Sequence, residues 1–220
     1  MQLKPVVLLP ARERIASVLR DAIMDGKFQE GEALTLDQIA TQLGVSKMPV
    51  REAFQILERD GLITLKANKG AVVRGVTANT LWEHYQVRAA LECEVVRLIC
   101  ENGADLRELQ EMNRDFAEAI EQDRPHDQSD YNINFHTKLW DLCGNSYLKA
   151  LLQQVTVGVC LAKRDYLRSM DQDVLDYHQQ IIDACINRDA ESAMKYMREH
   201  LLVSCTNRVN EFYANGQRLK

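Results

Sequence analysis

The chain has no apolar run near the roughly 18 residues that a membrane-crossing helix requires, and no charged, apolar and small-residue succession marks a secretion signal at its start. Both absences lead to the expectation of a cytoplasmic protein with no membrane partner. Its six cysteines, Cys93, Cys100, Cys143, Cys160, Cys185 and Cys205, form no C-x-x-C pair and keep no regular spacing. That argues against a zinc ribbon or redox switch and leaves buried thiols acting as small apolar groups. No phosphate-cradling glycine loop and no Ser or Cys nucleophile motif is present.

Charge is distributed unevenly. The 220 residues carry a net charge of -5, yet residues 1–77 hold 11 Lys or Arg against 9 Asp or Glu, and the remainder holds 16 against 23. An acidic bulk discourages indiscriminate binding to nucleic acid and confines contact to a localised basic patch. The length accommodates a small basic domain and a second, larger core.

Within the basic part, Leu36 to Gly61 reads as two short helices joined by a turn at Gly44. Ile39, Ala40 and Leu43 fall at helical spacing, and Gly44 ends that helix where a left-handed residue is favourable. Ser46 is placed to cap the next helix, and Pro49 falls in its first turn, where a missing N–H matters little. Val50, Ala53, Phe54 and Leu57 make one apolar stripe, leaving Lys47, Met48, Arg51 and Gln55 pointing elsewhere. A helix exposing Lys and Arg near its N-terminus suits a major groove, where arginine pairs with guanine edges and the helix terminus attracts phosphate. By spacing alone, an ordinary helical hairpin with a solvated charged face fits equally.

The flanks favour the DNA reader. Arg12 to Met24 places Ile15, Val18, Leu19, Ala22 and Ile23 on one face of an amphipathic helix closed by Gly26. After the helix pair, Leu62-Ile63-Thr64-Leu65 and Ala71-Val72-Val73-Arg74 have β character around the turn Lys66-Ala67-Asn68-Lys69-Gly70. Three helices and a β-hairpin wing make a winged helix-turn-helix, with a basic tip placed to meet phosphate or the minor groove.

The run Gly44-Val45-Ser46-Lys47-Met48-Pro49-Val50-Arg51-Glu52-Ala53, followed by Leu57-Glu58-Arg59-Asp60-Gly61-Leu62-Ile63 and Lys69-Gly70-Ala71-Val72-Val73, closely resembles the amino-terminal domain of GntR-type bacterial transcription regulators. The resemblance implies that Ser46, Lys47, Met48 and Arg51 meet double-stranded operator DNA, and that Lys69 and Gly70 bring the wing to its backbone. Family members usually show Ser-Arg-x-Pro-Val-Arg-Glu-Ala. Lys47 stands where Arg is commonest, keeping the charge but losing the bidentate fork, which softens base reading there. The family also often carries Glu and Arg where this chain has Leu36 and Asp37, so a contact some members make from that position is not expected here.

From Thr77 onward the chain reads as helices near Ala78–Glu101, Leu106–Gln122, Asp127–Cys143, Ser146–Ser169, Asp171–Asn187 and Ala190–Tyr213, broken by Gly103, Pro125, Gly144 and polar turns. The expected fold class is mainly α: a winged helix-turn-helix over residues 1–76 and an all-α antiparallel bundle over 77–220, packed closely through Gly75-Val76-Thr77.

Three histidines lie on three of these helices. His136 has Asn132 one turn earlier, His178 shares a side with Ile181, Ile182 and Cys185, and His200 aligns with Ala193 and Met197. Imidazoles on apolar stripes are read either as hydrogen-bonded core residues or as converging ligands for zinc or nickel with a position left open. His84, near a helix start, and His126, beside Pro125, are expected to face solvent. Arg88 and Glu92 stand one turn apart, as an i, i+4 ion pair.

Tyr85 to Glu92, Asn132 to His136 with Cys143-Gly144-Asn145, His178 to Ala184, and Met197 to Leu201 resemble the FCD ligand-binding domain of the FadR subfamily. That resemblance implies a divalent metal, zinc or nickel, held by Asn132, His136, His178 and His200. Asn132 stands where Asp is commoner, and a neutral amide lowers the charge of the site by one. The resemblance also implies that Arg88 faces the effector cavity and holds the carboxylate of a small organic acid.

The resulting expectation is a non-enzymatic, homodimeric repressor that binds a palindromic operator and is released by an organic acid. Two alternatives stand beside it. One is a metal-dependent hydrolase with Glu199 as base, although adjacent helix residues point about 100 degrees apart, which turns Glu199 away from His200. The other is a regulator whose helical bundle is purely structural.

Overall fold

A computed structural model describes residues 10–24, 26–67, 69–75, 77–122, 125–159 and 171–214; the side chains of 24, 125–130, 157–159, 171, 208 and 211–214 lie outside the description. The chain divides into two compact units that change over between Thr77 and Ala78.

The first unit contains α1 (Ala11–Met24), β1 (Ala33–Leu34), α2 (Leu36–Leu43), α3 (Lys47–Arg59), β2 (Ile63–Lys66) and β3 (Gly70–Val73). Thr35 caps α2 by accepting a hydrogen bond from the Gln38 amide at 3.2 Å, and Gly44 closes it with φ 64° and amide bonds back to Ala40 and Thr41. Ile15, Ala16, Leu19 and Ile23 of α1 pack with Ile39 of α2 and Val50, Phe54 and Leu57 of α3. Val18, expected on the apolar face, is 51% exposed, and Ala16 takes the inward place.

The wing is a sheet of three strands, not two. Their order is β1-β3-β2, all antiparallel, with Leu34 opposite Ala71 and Ile63 opposite Val73. A strand of two residues is too short for a hydrophobic pattern to announce. Leu34, Ala71 and Val73 close the core over α3, and the Glu58 carboxylate accepts the Leu65 amide at 2.8 Å, tying the wing to α3. Arg20 of α1 reaches Asp60 at the end of α3, 2.5 Å away, and both side chains are largely buried.

The second unit holds α4 (Ala78–Asn102), α5 (Arg107–Glu121), α6 (Pro125–Leu142), α7 (Ser146–Val159), α8 (Asp171–Ile186) and α9 (Ala190–Ala214). Pro125, expected to break the chain, opens α6 instead; a first helical residue has no intrahelical use for its N–H. The described part of α7 ends at Val159, so the expected continuation to Ser169 and Cys160 itself lie outside the described residues. The other five cysteines are free and buried. Helix α4 packs along α9 and against α6 and α8, while α5 packs on α6 and α8. Val95, Ile99, Leu109, Phe116, Leu139, Ile181 and Met197 form its centre. Inward faces of α6, α8 and α9 therefore bring His136, His178 and His200 into one core.

Candidate functional site

Helix α3 presents a mixed face. Its apolar stripe is buried, while Met48 is 63% exposed and Lys47, Arg51 and Gln55 are exposed. Between α3 and the wing lies a cleft of about 590 Å³ whose lining includes Asp37, Arg51, Gln55, Lys66, Lys69 and Gly70. Ser46 stands at the N-cap of α3 with extended backbone, but its hydroxyl makes no capping hydrogen bond. A cap accepts from the second or third helical amide, and the third residue here is Pro49, which has no N–H. Gly70 also differs in its reason. Its φ is +84°, and a Cβ there would meet the Leu34 carbonyl oxygen at 2.1 Å, so the fold itself demands glycine. Lys47 is ion-paired with Asp37, a relationship between α2 and α3 that spacing did not announce. Asn68 lies outside the described residues.

The bundle gathers its three imidazoles. Ligand-capable nitrogens of His136, His178 and His200 all lie within 4.8 Å of one another, and all three residues are buried. His136 Nε2 and His200 Nε2 are 3.1 Å apart, and the His178 ring stacks on Phe135 with centroids 3.7 Å apart. Glu92 from α4 supports the group: its Oε2 lies 3.2 Å from His136 Nδ1 and accepts the Trp140 indole N–H at 2.9 Å. Its Oε1 accepts from Arg88 Nε at 3.0 Å. A proton on His136 Nδ1 satisfies Glu92 and leaves the Nε2 lone pair facing the cluster.

Electrostatics keep that state. Burial opposes ionisation of Glu92, but the positive potential of His136 and Arg88 and the donors on His136 and Trp140 hold its carboxyl at about 2. Burial lowers the pKa of His136, and Glu92 only partly counters it. His178 and His200 fall well below the ordinary imidazole range, through burial first and then through neighbouring charge. Neutral imidazoles are the form that binds metal.

Two buried atoms test whether an ion suits this donor set. Asn132 Oδ1 and His178 Nε2 have no hydrogen-bond partner. An unsatisfied buried acceptor is costly; His178 Nε2 belongs to the converging group and Asn132 stands one turn before His136 on α6, a donor set that fits a cation. A nitrogen-rich set with one amide oxygen suits zinc or nickel better than calcium or magnesium.

Arg88 is 8% exposed and ion-paired with Glu92, so the i, i+4 pair is formed and buried. Its charge reaches His136 and His200, lowering both. His84, expected in solvent, is half-buried with Nε2 2.6 Å from the Val155 carbonyl oxygen. His126 has its side chain outside the described residues. Among the described residues Glu199 is not part of the converging ligand group. Sequence reasoning missed Glu92 as the residue that orients His136, along with Trp140 and Phe135. The signals were there: Glu92 follows Arg88 by one turn, and Trp140 follows His136 by one turn.

A winged helix-turn-helix in one unit and a helical bundle with a buried three-histidine cluster in the other are the features of a transcription regulator with a ligand-binding domain. The gntR family of bacterial regulatory proteins matches residues 11–73, and the FCD domain matches residues 83–202. The chain belongs to the gntR-type regulators that carry an FCD domain. It is 28% identical over 193 residues to the uncharacterized HTH-type transcriptional regulator YdhC of Bacillus subtilis, covering 85% of this chain and 86% of that one. To the gluconate operon transcriptional repressor of Bacillus licheniformis it is 26% identical, covering 85% and 80%. A crystal structure of a GntR-family transcriptional regulator from Pseudomonas syringae superposes with a TM-score of 0.52 at 27% identity, covering 94% and 89%. Among the described residues no helix is long and apolar enough to cross a membrane.

Proposed function

We propose that the chain is a homodimeric repressor whose hold on a palindromic operator is relieved by a small organic acid bound in the FCD domain. Residues 1–76 form the reader and residues 77–220 the sensing and dimerising part; reading chromosomal DNA places the protein in the cytoplasm. Repression is supported by relatives that carry that name. The observation that carries the sensor reading is the convergence of His136, His178 and His200, with Asn132 one turn before His136 on α6 and its buried Oδ1 unpartnered.

His136, His178, His200 and Asn132 would hold zinc or nickel, which supplies an open coordination position for an oxygen ligand. Glu92 fixes the ring of His136 and its tautomer, as acidic neighbours of metal-bound histidines do. The Arg88 cation stands beside the site through Glu92 and draws a carboxylate toward it. Ser46, Lys47, Met48 and Arg51 meet the major groove, with Lys69 and Gly70 at the backbone. The acid acts by binding one arrangement of the dimer better than the other, which shifts the spacing of its two readers.

Native mass spectrometry of freshly purified full-length protein tests this. The expected spectrum is a dimer with one divalent metal per chain, lost on chelation. A monomer without metal after purification in zinc or nickel contradicts it.

A further inference from the structure

Asp37 is the acidic residue among the lysines and arginine that line the cleft between α3 and the wing, and it is ion-paired with Lys47. Both side chains remain largely exposed, at 73% for Asp37 and 63% for Lys47. The pair joins the first turn of α2 to the first residue of α3, beside Met48 and one turn from Arg51. An acid here has a cost on a surface that approaches phosphate, because like charges repel. Holding the two side chains together at the surface contributes little to stability. Asp37 also stands in the first turn of α2, where the helix terminus favours an acid, but both gains are modest and leave room for a second reason for an acid at this position.

Base chemistry gives one. In the major groove a cytosine amino group donates, while the O6 and N7 atoms of its paired guanine accept. The cytosine N4 and guanine O6 are hydrogen-bonded to each other, so they sit as close together as the carboxylate and ammonium of an ion pair. We propose that Asp37 and Lys47 read one C·G base pair as a unit, Asp37 accepting from cytosine N4 and Lys47 donating to guanine. Asp37 thereby also withholds Lys47 from phosphate, which makes a residue suited to a point-charge contact into a base-specific one. The expectation of no contact from position 37 is replaced by a contact of opposite charge.

This rests on the reading of α3 and the wing as the operator-facing surface. The test is selection of duplexes from a random pool by full-length wild type, Asp37→Ala and Lys47→Met proteins, followed by salt titration on random duplex. Wild type is expected to enrich a C·G pair at one position of each half-site. Asp37→Ala should lose that preference, bind the wild-type site tenfold or more weakly, and bind random duplex more tightly. Its slope of log K against log salt should steepen by about 0.9 as Lys47 gains a phosphate. Lys47→Met should lose the same preference without steepening. An Asp37→Ala protein that enriches the same bases with the same relative affinities overturns the proposal. Failure of wild type to enrich any sequence would instead refute the operator-facing surface itself.

Discussion

Glu92 Oε2 lies 3.2 Å from Nδ1 of His136, and both side chains are buried on different helices, α4 and α6. This contact links the Arg88 cation to the imidazole cluster through a single carboxylate. Glu92→Gln keeps the volume but replaces a carboxylate oxygen with an amide. Zinc affinity, read by competition with a chromophoric chelator, should fall about 10- to 100-fold. An unchanged affinity contradicts the orienting role of Glu92.

The Arg20–Asp60 pair locks α1 to the end of α3, with side chains 10% and 2% exposed. Asp60→Ala leaves a buried guanidinium without its carboxylate and should destabilise the first unit by about 3 to 5 kcal/mol. Urea unfolding followed by circular dichroism measures it. A double change, Arg20→Met with Asp60→Leu, should recover most of that loss, because a buried pair replaced by apolar groups is often neutral.

Gly70→Ala should damage the wing before it touches any DNA. Its Cβ would sit 2.1 Å from the Leu34 carbonyl oxygen at a φ of +84°. The expected result is a loss of more than about 1 kcal/mol in stability, with weakened operator binding as a consequence. Full stability with selectively weakened binding would assign Gly70 to DNA contact alone.

Arg51→Ala addresses the opposite case, a residue exposed on α3 and lining the cleft. Operator affinity should drop by roughly 1 to 3 kcal/mol with relaxed preference at one base position, while the unfolding midpoint stays put. Uniform weakening across all sequences would make Arg51 a phosphate contact.

Much of this architecture is legible in the sequence. The i, i+4 stripe of Val50, Ala53, Phe54 and Leu57, with Gly44 before it, marked the two helices because local periodicity and a left-handed cap need no tertiary information. The inward aim of His136, His178 and His200 followed from their apolar neighbours in the same way. What stayed hidden depends on partners far apart in sequence. Strand β1 is only two residues long and exists through pairing with β3, 37 or more positions on. Glu92 meets His136 across 44 residues, and Asp37 meets Lys47 across a turn whose geometry sets which side chains touch. Ser46 shows a third limit: a favourable capping residue makes no capping bond, and Pro49 removes one of the two amides it could have accepted from.

The central claim is that a ligand in the helical bundle controls DNA binding, and operator affinity measured against a panel of small carboxylic acids tests it most directly. The selected operator should be titrated with zinc-loaded and chelator-stripped full-length protein, with and without each acid. At least one acid should change the affinity of loaded protein about 5- to 150-fold, and both stripping and Arg88→Ala should remove that change. Operator affinity that is the same for every acid, loaded or stripped, would contradict the account.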